Sequence, residues 1–248
     1  MDFSKDYLYH YTSFGAAKSI IESQELWFSK SENLNDIRET KGPQVYSALN
    51  DLEAIDKYLK HYHQISLSVD KKGSKGFDIT SMWGHYASKG NGVCIVFDKE
   101  KILSEVNLRG LSACEVKYIK KDEVNLFDFV YNSSIYGNVE NYLRASQNTL
   151  FFTKTKEWES EQEYRIIAID DELLPLNIKN AIVAVILCSD NHIDFIETVT
   201  KEGLIDYSNI ALYRYYSGSG GEWNLYDITG QSLKKPIDFD MLITKGIK

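Results

Sequence analysis

Four stretches of this 248-residue chain set ionisable side chains beside aromatic rings: Tyr9-His10-Tyr11-Thr12, Leu26 to Asp36 with Glu39 beyond it, Met82 to Ala87, and Lys154 to Arg165. Burying an ionisable group next to Trp or Tyr is costly unless its charge and hydrogen-bonding capacity are satisfied, so such clusters mark structural networks or ligand sites. Several of them in one chain favour a site assembled around His10, Trp83 to Tyr86 and Glu161 to Arg165. In an extended stretch Glu161, Glu163 and Arg165 point to one face, because successive side chains alternate. Two readings of that face stand. One is a salt bridge between Glu161 and Arg165 that steadies a strand end. The other is a working site in which Glu163, at the boundary where the strand turns apolar at Ile166 and Ile167, is desolvated into a strong acceptor or base.

The elements that must position these residues follow from periodicity. Tyr7 to Thr12 alternates as a strand, with Tyr7, Tyr9 and Tyr11 on one face and Leu8, His10 and Thr12 on the other. Ser13 can cap a short helix whose stripe is Ala16, Ala17, Ile20 and Ile21, and Leu26 to Ser29 reads as a second strand. Val45, Leu49, Leu52, Ile55 and Leu59 predict an amphipathic helix beginning near Pro43. Ile65 to Val69 is strand-like, and the apolar run Val93 to Phe97 reads as a central buried strand with the MWGHYA segment at its mouth. Asp122 to Gln147 has helical spacing, Glu163 to Ile169 and Ala181 to Leu187 are strands, and Asn191 to Lys201 is a helix. Ile210 to Tyr216 and Trp223 to Ile228 read as strands joined by SGSGG, and a polar tail follows from about residue 232.

This pattern predicts a single α+β domain over residues 1–248, with a central mixed, mainly antiparallel sheet and flanking helices. Hydrophobic residues at 43% and charged residues at 26% exclude disordered and fibrous classes. The net charge of -8 removes the unspecific attraction to phosphate backbones, so a nucleic-acid partner would need a local basic patch. Cys94, Cys114 and Cys188 lack CxxC spacing and read as core thiols. His61 and His63, two apart at a helix end, read as surface residues rather than zinc ligands, and SGSGG lacks the Lys of a phosphate-binding loop. No basic leader and no bilayer-length apolar run is present, which predicts a cytoplasmic protein.

YHYT near the N-terminus, LWFS with its later Asn-Asp and Glu, MWGHYA followed by GVCIVFD, and the pattern K-x-x-x-W-x-x-E-x-E-x-R at Lys154 to Arg165 together resemble the bacterial domain-of-unknown-function family 2971 (DUF2971), over about two thirds of the chain. The order of an early strand His with a following helix, a middle aromatic motif and a late strand Glu is similar, more distantly, to the ADP-ribosyltransferase superfamily. That likeness implies a split-sheet core and NAD as a substrate. His10 would then hydrogen-bond the nicotinamide-side ribose, and Glu163 would grip a ribose hydroxyl and stabilise positive charge. Tyr86 or Trp83 would stack on nicotinamide, with His85 as the alternative polar residue of that motif. Tyr11, Thr12, Glu161 and Arg165 complete the implied NAD-binding set. Breaking the nicotinamide glycosidic bond develops an oxocarbenium-like sugar, which a fixed carboxylate favours and for which no metal is expected.

The expected activity is ADP-ribosyl transfer to a protein or nucleic acid, or NAD hydrolysis, by a toxin or phage-defence effector with an antitoxin or a second copy as partner. Two other classes stay open. A metal-dependent nuclease would hold magnesium on Asp36, Glu161 and Glu163. A non-catalytic nucleotide-binding or interaction module would use the Trp and Tyr residues as contact surface.

Overall fold

The computed structural model describes residues 5–30, 55, 61–123, 130–169, 174–188, 192–206, 208–217 and 223–229. Asp36, Glu39, the helix expected from Pro43 apart from Ile55, most of SGSGG and the tail lie outside them. The first half of the chain gives β1 (Tyr7–Thr12), α1 (Phe14–Ser23), β2 (Glu25–Leu26), β3 (Ser29–Lys30), β4 (Tyr62–Val69), α2 (Thr80–His85), β5 (Val93–Asp98), α3 (Lys99–Leu108), β6 (Ser112–Glu115) and β7 (Lys117–Ile119). The second half gives α4 (Ser133–Tyr136), α5 (Val139–Phe151), β8 (Thr153–Thr155), β9 (Glu163–Ile169), β10 (Leu176–Asn177), β11 (Ile182–Leu187), α6 (His192–Lys201), β12 (Ala211–Ser217) and β13 (Trp223–Asp227). The class is α+β with mixed, mostly antiparallel strands. Among the described residues no helix is long and apolar enough to cross a membrane.

The chain forms two compact units, one of Met1–Glu25, Leu67–Ile102 and Asn177–Lys248, the other of Leu26–Ser66 and Leu103–Leu176. In the first, the strands run in the order β13, β12, β11, β5, β1, with the Leu67–Val69 end of β4 beside β1. β5 lies in the middle because Val93 to Phe97 is apolar on both faces and fully buried. Only β11 and β12 are parallel among these pairs, and α6 connects them as a β-α-β unit. Ser13 caps α1 by accepting from the Ala16 N–H at 3.2 Å, and Gln24 closes the helix in the left-handed region. α1 buries Ala17, Ile20 and Ile21, and its Phe14 stacks on Phe195 of α6.

Register sorts this sheet into rows. Tyr11, Cys94, Ile186 and Tyr213 stand opposite one another across four strands, and His10, Ile95, Val185 and Leu212 form the adjacent row. The first row belongs to an aromatic core with Tyr7, Tyr9 and Tyr215, covered by Phe77, Ile79, Met82, Trp83 and Ala87. The second row projects to the opposite face, since neighbours along a strand alternate.

In the second unit the Tyr62–Ser66 part of β4 carries β3 on one side, and β9 and β6 continue the order on the other. β7 and β8 form a separate parallel pair that sets Tyr118 opposite Lys154. α5, capped by Asn138, packs Tyr142, Leu143, Leu150 and Phe151 against Tyr62, Tyr131 and Ile167. Phe151 stacks on Tyr62 at 4.5 Å.

Several boundaries differ from those read off the sequence. The strand expected over Leu26 to Ser29 is split into β2 and β3, with Trp27 between them. β4 starts at Tyr62 rather than Ile65, so His63 is a buried strand residue and not a surface histidine, its Nδ1 lying 2.9 Å from the His61 carbonyl. The helical stretch ahead of Gln147 resolves into α4 and α5, each capped by an Asn side chain.

Gly92 has no room for a side chain, because a Cβ there would stand 2.2 Å from the Thr12 carbonyl and 2.9 Å from the Ala87 backbone. Gly84, inside α2, has open space at the same position. Gly92→Ala should therefore destabilise by about 1–3 kcal/mol, the usual cost of overpacking. Gly84→Ala should be neutral or stabilise by up to about 1 kcal/mol, since alanine favours the helix interior. Urea unfolding of the two variants checks the opposite signs.

Candidate functional site

The second unit buries four charged side chains in contact. β8 presents Lys154, a two-turn 3-10 helix over Lys156–Glu161 follows, and Gln162 in the left-handed region at φ 49° turns the chain into β9. That turn breaks the alternation expected from Glu161 onward, so only Glu163 and Arg165 share a strand face. Glu161 reaches the cluster from the 3-10 helix. Arg165 grips Glu163 with two parallel bonds, Nε to Oε1 at 2.8 Å and Nη2 to Oε2 at 2.9 Å. The Lys154 ammonium donates to Glu161 Oε2 at 2.8 Å and stands 3.0 Å from Glu163 Oε2. Arg165 Nη1 donates to the Phe151 carbonyl, and Lys154 lies 5.3 Å from the centre of the Trp158 ring. Glu163 is only 3% exposed and Arg165 only 2%.

Burial by itself pushes the Glu163 carboxyl up. The Arg165 guanidinium, the Lys154 ammonium and hydrogen bonds from Arg165 and Ser66 more than reverse this, and its pKa falls from the ordinary 4.5 to about 2. Glu163 is thus an anion kept without solvent. Its backbone N–H donates to the Tyr118 hydroxyl at 2.9 Å, and burial pushes that phenol up. On β4, the Tyr62 hydroxyl donates to Gln64 Oε1 and Gln64 Nε2 donates to Ser66 Oγ at 2.9 Å, which extends the network along one strand face. Sequence reasoning gave no role to Lys154, Tyr118, Gln64 or Ser66. Lys154 had a signal: two carboxylates facing one guanidinium leave a negative charge that a dry site must balance.

In the first unit, α2 places Trp83 in the aromatic core. The indole is 4% exposed, donates to the Phe77 carbonyl at 2.8 Å, lies parallel to Tyr215 at 5.6 Å and makes a T-shaped contact with Tyr11 at 5.1 Å. Tyr11 is also held, its hydroxyl donating to the Gly76 carbonyl at 2.8 Å. Burial pushes the Tyr11 phenol well up. Tyr86 is half-buried against the same core, whereas His85 is exposed with its ring 6.3 Å from that of Tyr86. His10 is half-buried and Thr12 buried, both on the other face of β1.

The structure therefore brings Tyr11 to Trp83, and Glu161, Glu163 and Arg165 to Lys154. It corrects two sequence-based assignments. Trp83 is not an open stacking platform, because Tyr215 occupies its face. His10 and Trp83 do not line one pocket, because Tyr11 is the β1 residue that turns toward Trp83 and alternation sends His10 the opposite way. Asp36 lies outside the described residues. Among those residues no group of three or more His, Cys, Asp or Glu side chains could hold a metal ion.

Both motifs fall in one stretch that is similar to a known family. Residues 82–166 match the model described as Protein of unknown function (DUF2971). The DUF2971 match covers about a third of the chain and contains the segment Met82 to Ala87 as well as the whole Lys154–Arg165 cluster, while the YHYT and LWFS segments lie outside it. No curated protein and no solved structure matches the chain.

Removing one charge from this cluster leaves the others unbalanced. Glu163→Gln should destabilise by about 3–5 kcal/mol, since Arg165 loses its partner in a dry site. Because the folded-state pKa of Glu163 lies below its ordinary value, its stabilising contribution is present above about pH 4.5 and is lost as the pH falls toward 2. Urea midpoints across that range should drop more steeply for the wild type than for the variant.

Proposed function

We propose that the chain acts on a nucleotide of the NAD class, with Glu163 as the residue that carries the chemistry. One observation supports this reading: Glu163 is a buried carboxylate held ionised in a fixed orientation at the first position of a strand. Cleavage of the nicotinamide–ribose bond builds positive charge on the sugar as neutral nicotinamide leaves. A pre-oriented anion without a hydration shell opposes that charge at no reorganisation cost. Water as acceptor yields ADP-ribose, and a nucleophile on a macromolecule yields the transferred group. The order of strand His10, α1, the α2 aromatic motif and strand Glu163 agrees with a distant ADP-ribosyltransferase likeness. His10 and Trp83 no longer serve jointly in this reading, since Trp83 packs on the Tyr11 face of β1 and His10 stands on the opposite face. An effector role against phage or a competing cell, with an antitoxin or second copy as partner, belongs to the same proposal.

A second reading has its own observations. Both oxygens of Glu163 are taken by Arg165 and Lys154, and the stacking face of Trp83 is taken by Tyr215. These features favour a non-catalytic nucleotide-binding or interaction module in which the ionic cluster sets shape. The nuclease reading is the weakest on geometry, because the Lys154 ammonium stands between Glu161 and Glu163 where a divalent cation would bind.

Incubation of the full chain with NAD, followed by nicotinamide measurement and thermal unfolding, separates these outcomes. Nicotinamide release that disappears in Glu163→Gln, compared at a temperature where circular dichroism shows the variant folded, is the expected result. A rise in Tm without release would replace it with the module, a ligand at 100 times its Kd adding about 2.7 kcal/mol. Neither release nor a shift would remove both nucleotide readings.

A further inference from the structure

Tyr62, Gln64 and Ser66 occupy alternate positions of β4 and so share one face. A hydrogen-bonded chain runs along them, from the Tyr62 hydroxyl to Gln64 Oε1, from Gln64 Nε2 to Ser66 Oγ at 2.9 Å, and from Ser66 to the Glu163 carboxylate. Tyr62, Gln64, Lys154, Glu161, Glu163 and Arg165 are all buried, whereas Ser66 is exposed. Ser66 is therefore the member of this chain at which the sealed ionic cluster meets solvent.

A serine hydroxyl has one proton and two lone pairs. An ionised carboxylate only accepts, so the Ser66 proton is committed to Glu163. The Gln64 amide takes one lone pair. What Ser66 offers outward is a single acceptor position, backed by two cations and two anions whose charges cancel. An ionised phosphodiester brings only acceptors to that position and finds no proton left on Ser66 to accept, and an ammonium finds no net negative charge in the cluster to attract it. A neutral O–H or N–H satisfies the position and polarises along the chain into Glu163.

We propose that Ser66 is a ligand-contact residue and that it takes a neutral hydrogen-bond donor, specifically a sugar hydroxyl, while discriminating against a phosphodiester. The source of that hydroxyl as the ribose of a nucleotide rests on the NAD-class reading above; the donor specificity stands on the geometry alone.

The test follows the Gln64 side-chain amide resonances of the full-length, isotope-labelled chain during titration with D-ribose, dimethyl phosphate and nicotinamide, in the wild type, Ser66→Ala and Ser66→Thr. Ribose should shift these resonances in the wild type and in Ser66→Thr, which keeps the hydroxyl. In Ser66→Ala the ribose affinity should fall roughly tenfold, the effect of losing one hydrogen bond tied to a charged group. Dimethyl phosphate should leave the resonances in place. No ribose response in the wild type, an undiminished response in Ser66→Ala, or an equal response to dimethyl phosphate would each overturn the proposal, and a response to nicotinamide alone would overturn the sugar assignment. Thermal unfolding with ADP-ribose separates this result from the wider reading. Stabilisation by ADP-ribose with no ribose response at Gln64 sinks the Ser66 assignment and keeps the nucleotide. A Ser66-dependent ribose response with no stabilisation by either ADP-ribose or NAD does the reverse.

Discussion

The second unit is organised around a carboxylate that has no water. Moving a carboxylate-sized ion into a protein interior costs several kcal/mol even after relaxation, and the cost is recovered only where geometry and hydrogen bonding are complete. Glu163 meets that requirement through a two-bond grip from Arg165, and the grip dictates its surroundings. Residues two apart on a strand share a face, so β9 must already be extended at Glu163. The parallel pairing of β7 with β8 is what brings Lys154 within reach, because it sets Lys154 opposite Tyr118, whose hydroxyl takes the Glu163 N–H. The end of α5 is fixed by the same group, since the Phe151 carbonyl receives the Arg165 Nη1 bond.

Such a cluster adds little net stability for the desolvation it incurs. Buried ion pairs replaced by well-packed apolar side chains leave many proteins as stable or more so, whereas loss of one partner is severe. The contribution of Lys154, Glu161, Glu163 and Arg165 is therefore positional. They hold one anion at one place, tolerate little change, and pass that constraint through Gln64 and Ser66 to the surface of β4. A purely structural strand end would be served as well by apolar side chains such as those of Ile166 and Ile167 just beyond.

Elements governed by local chemistry were legible in the sequence. β1, the Ser13-capped α1, the apolar β5 and β11, and the strands β12 and β13 all follow from periodicity, capping and apolar runs. What failed was decided by single residues or by distant segments. Gln162 adopts a left-handed conformation that a non-glycine residue seldom takes, and this one torsion removed Glu161 from the strand face. The alternation of Tyr7, Tyr9 and Tyr11 against Leu8, His10 and Thr12 was plain, but which side the Phe77–Trp83 segment would cover is set by tertiary packing. The grouping of Glu161, Glu163 and Arg165 survived because opposite charges this close in sequence and this poor in exposure have few other partners. The role of Ser66 left no mark, since a serine in a strand pattern carries no sign of what lies across the sheet.

The aromatic richness of the chain has a structural use that changes where a ligand could stack. In the first unit the stretch between β4 and α2 has almost no regular structure, and its backbone polar groups still need partners. The Tyr11 hydroxyl provides two, donating to the Gly76 carbonyl and accepting from the Ile79 N–H at 3.4 Å, and Tyr215 holds the same segment by donating to the Asp78 side-chain carboxylate. The fit is close enough that a Cβ on Gly76 would stand 2.3 Å from the Tyr9 ring. Trp83 closes the same arrangement with its indole N–H on the Phe77 carbonyl. Rings that read as a stacking surface are thus tethers for an irregular segment, with their polar ends satisfied. A planar ligand could displace Tyr215 from Trp83 only by freeing Asp78 as well. The rings of the MWGHYA segment that keep open surface are those of His85, the last residue of α2, and Tyr86, which caps it, and any stacking contact made by this motif belongs to them rather than to the tryptophan.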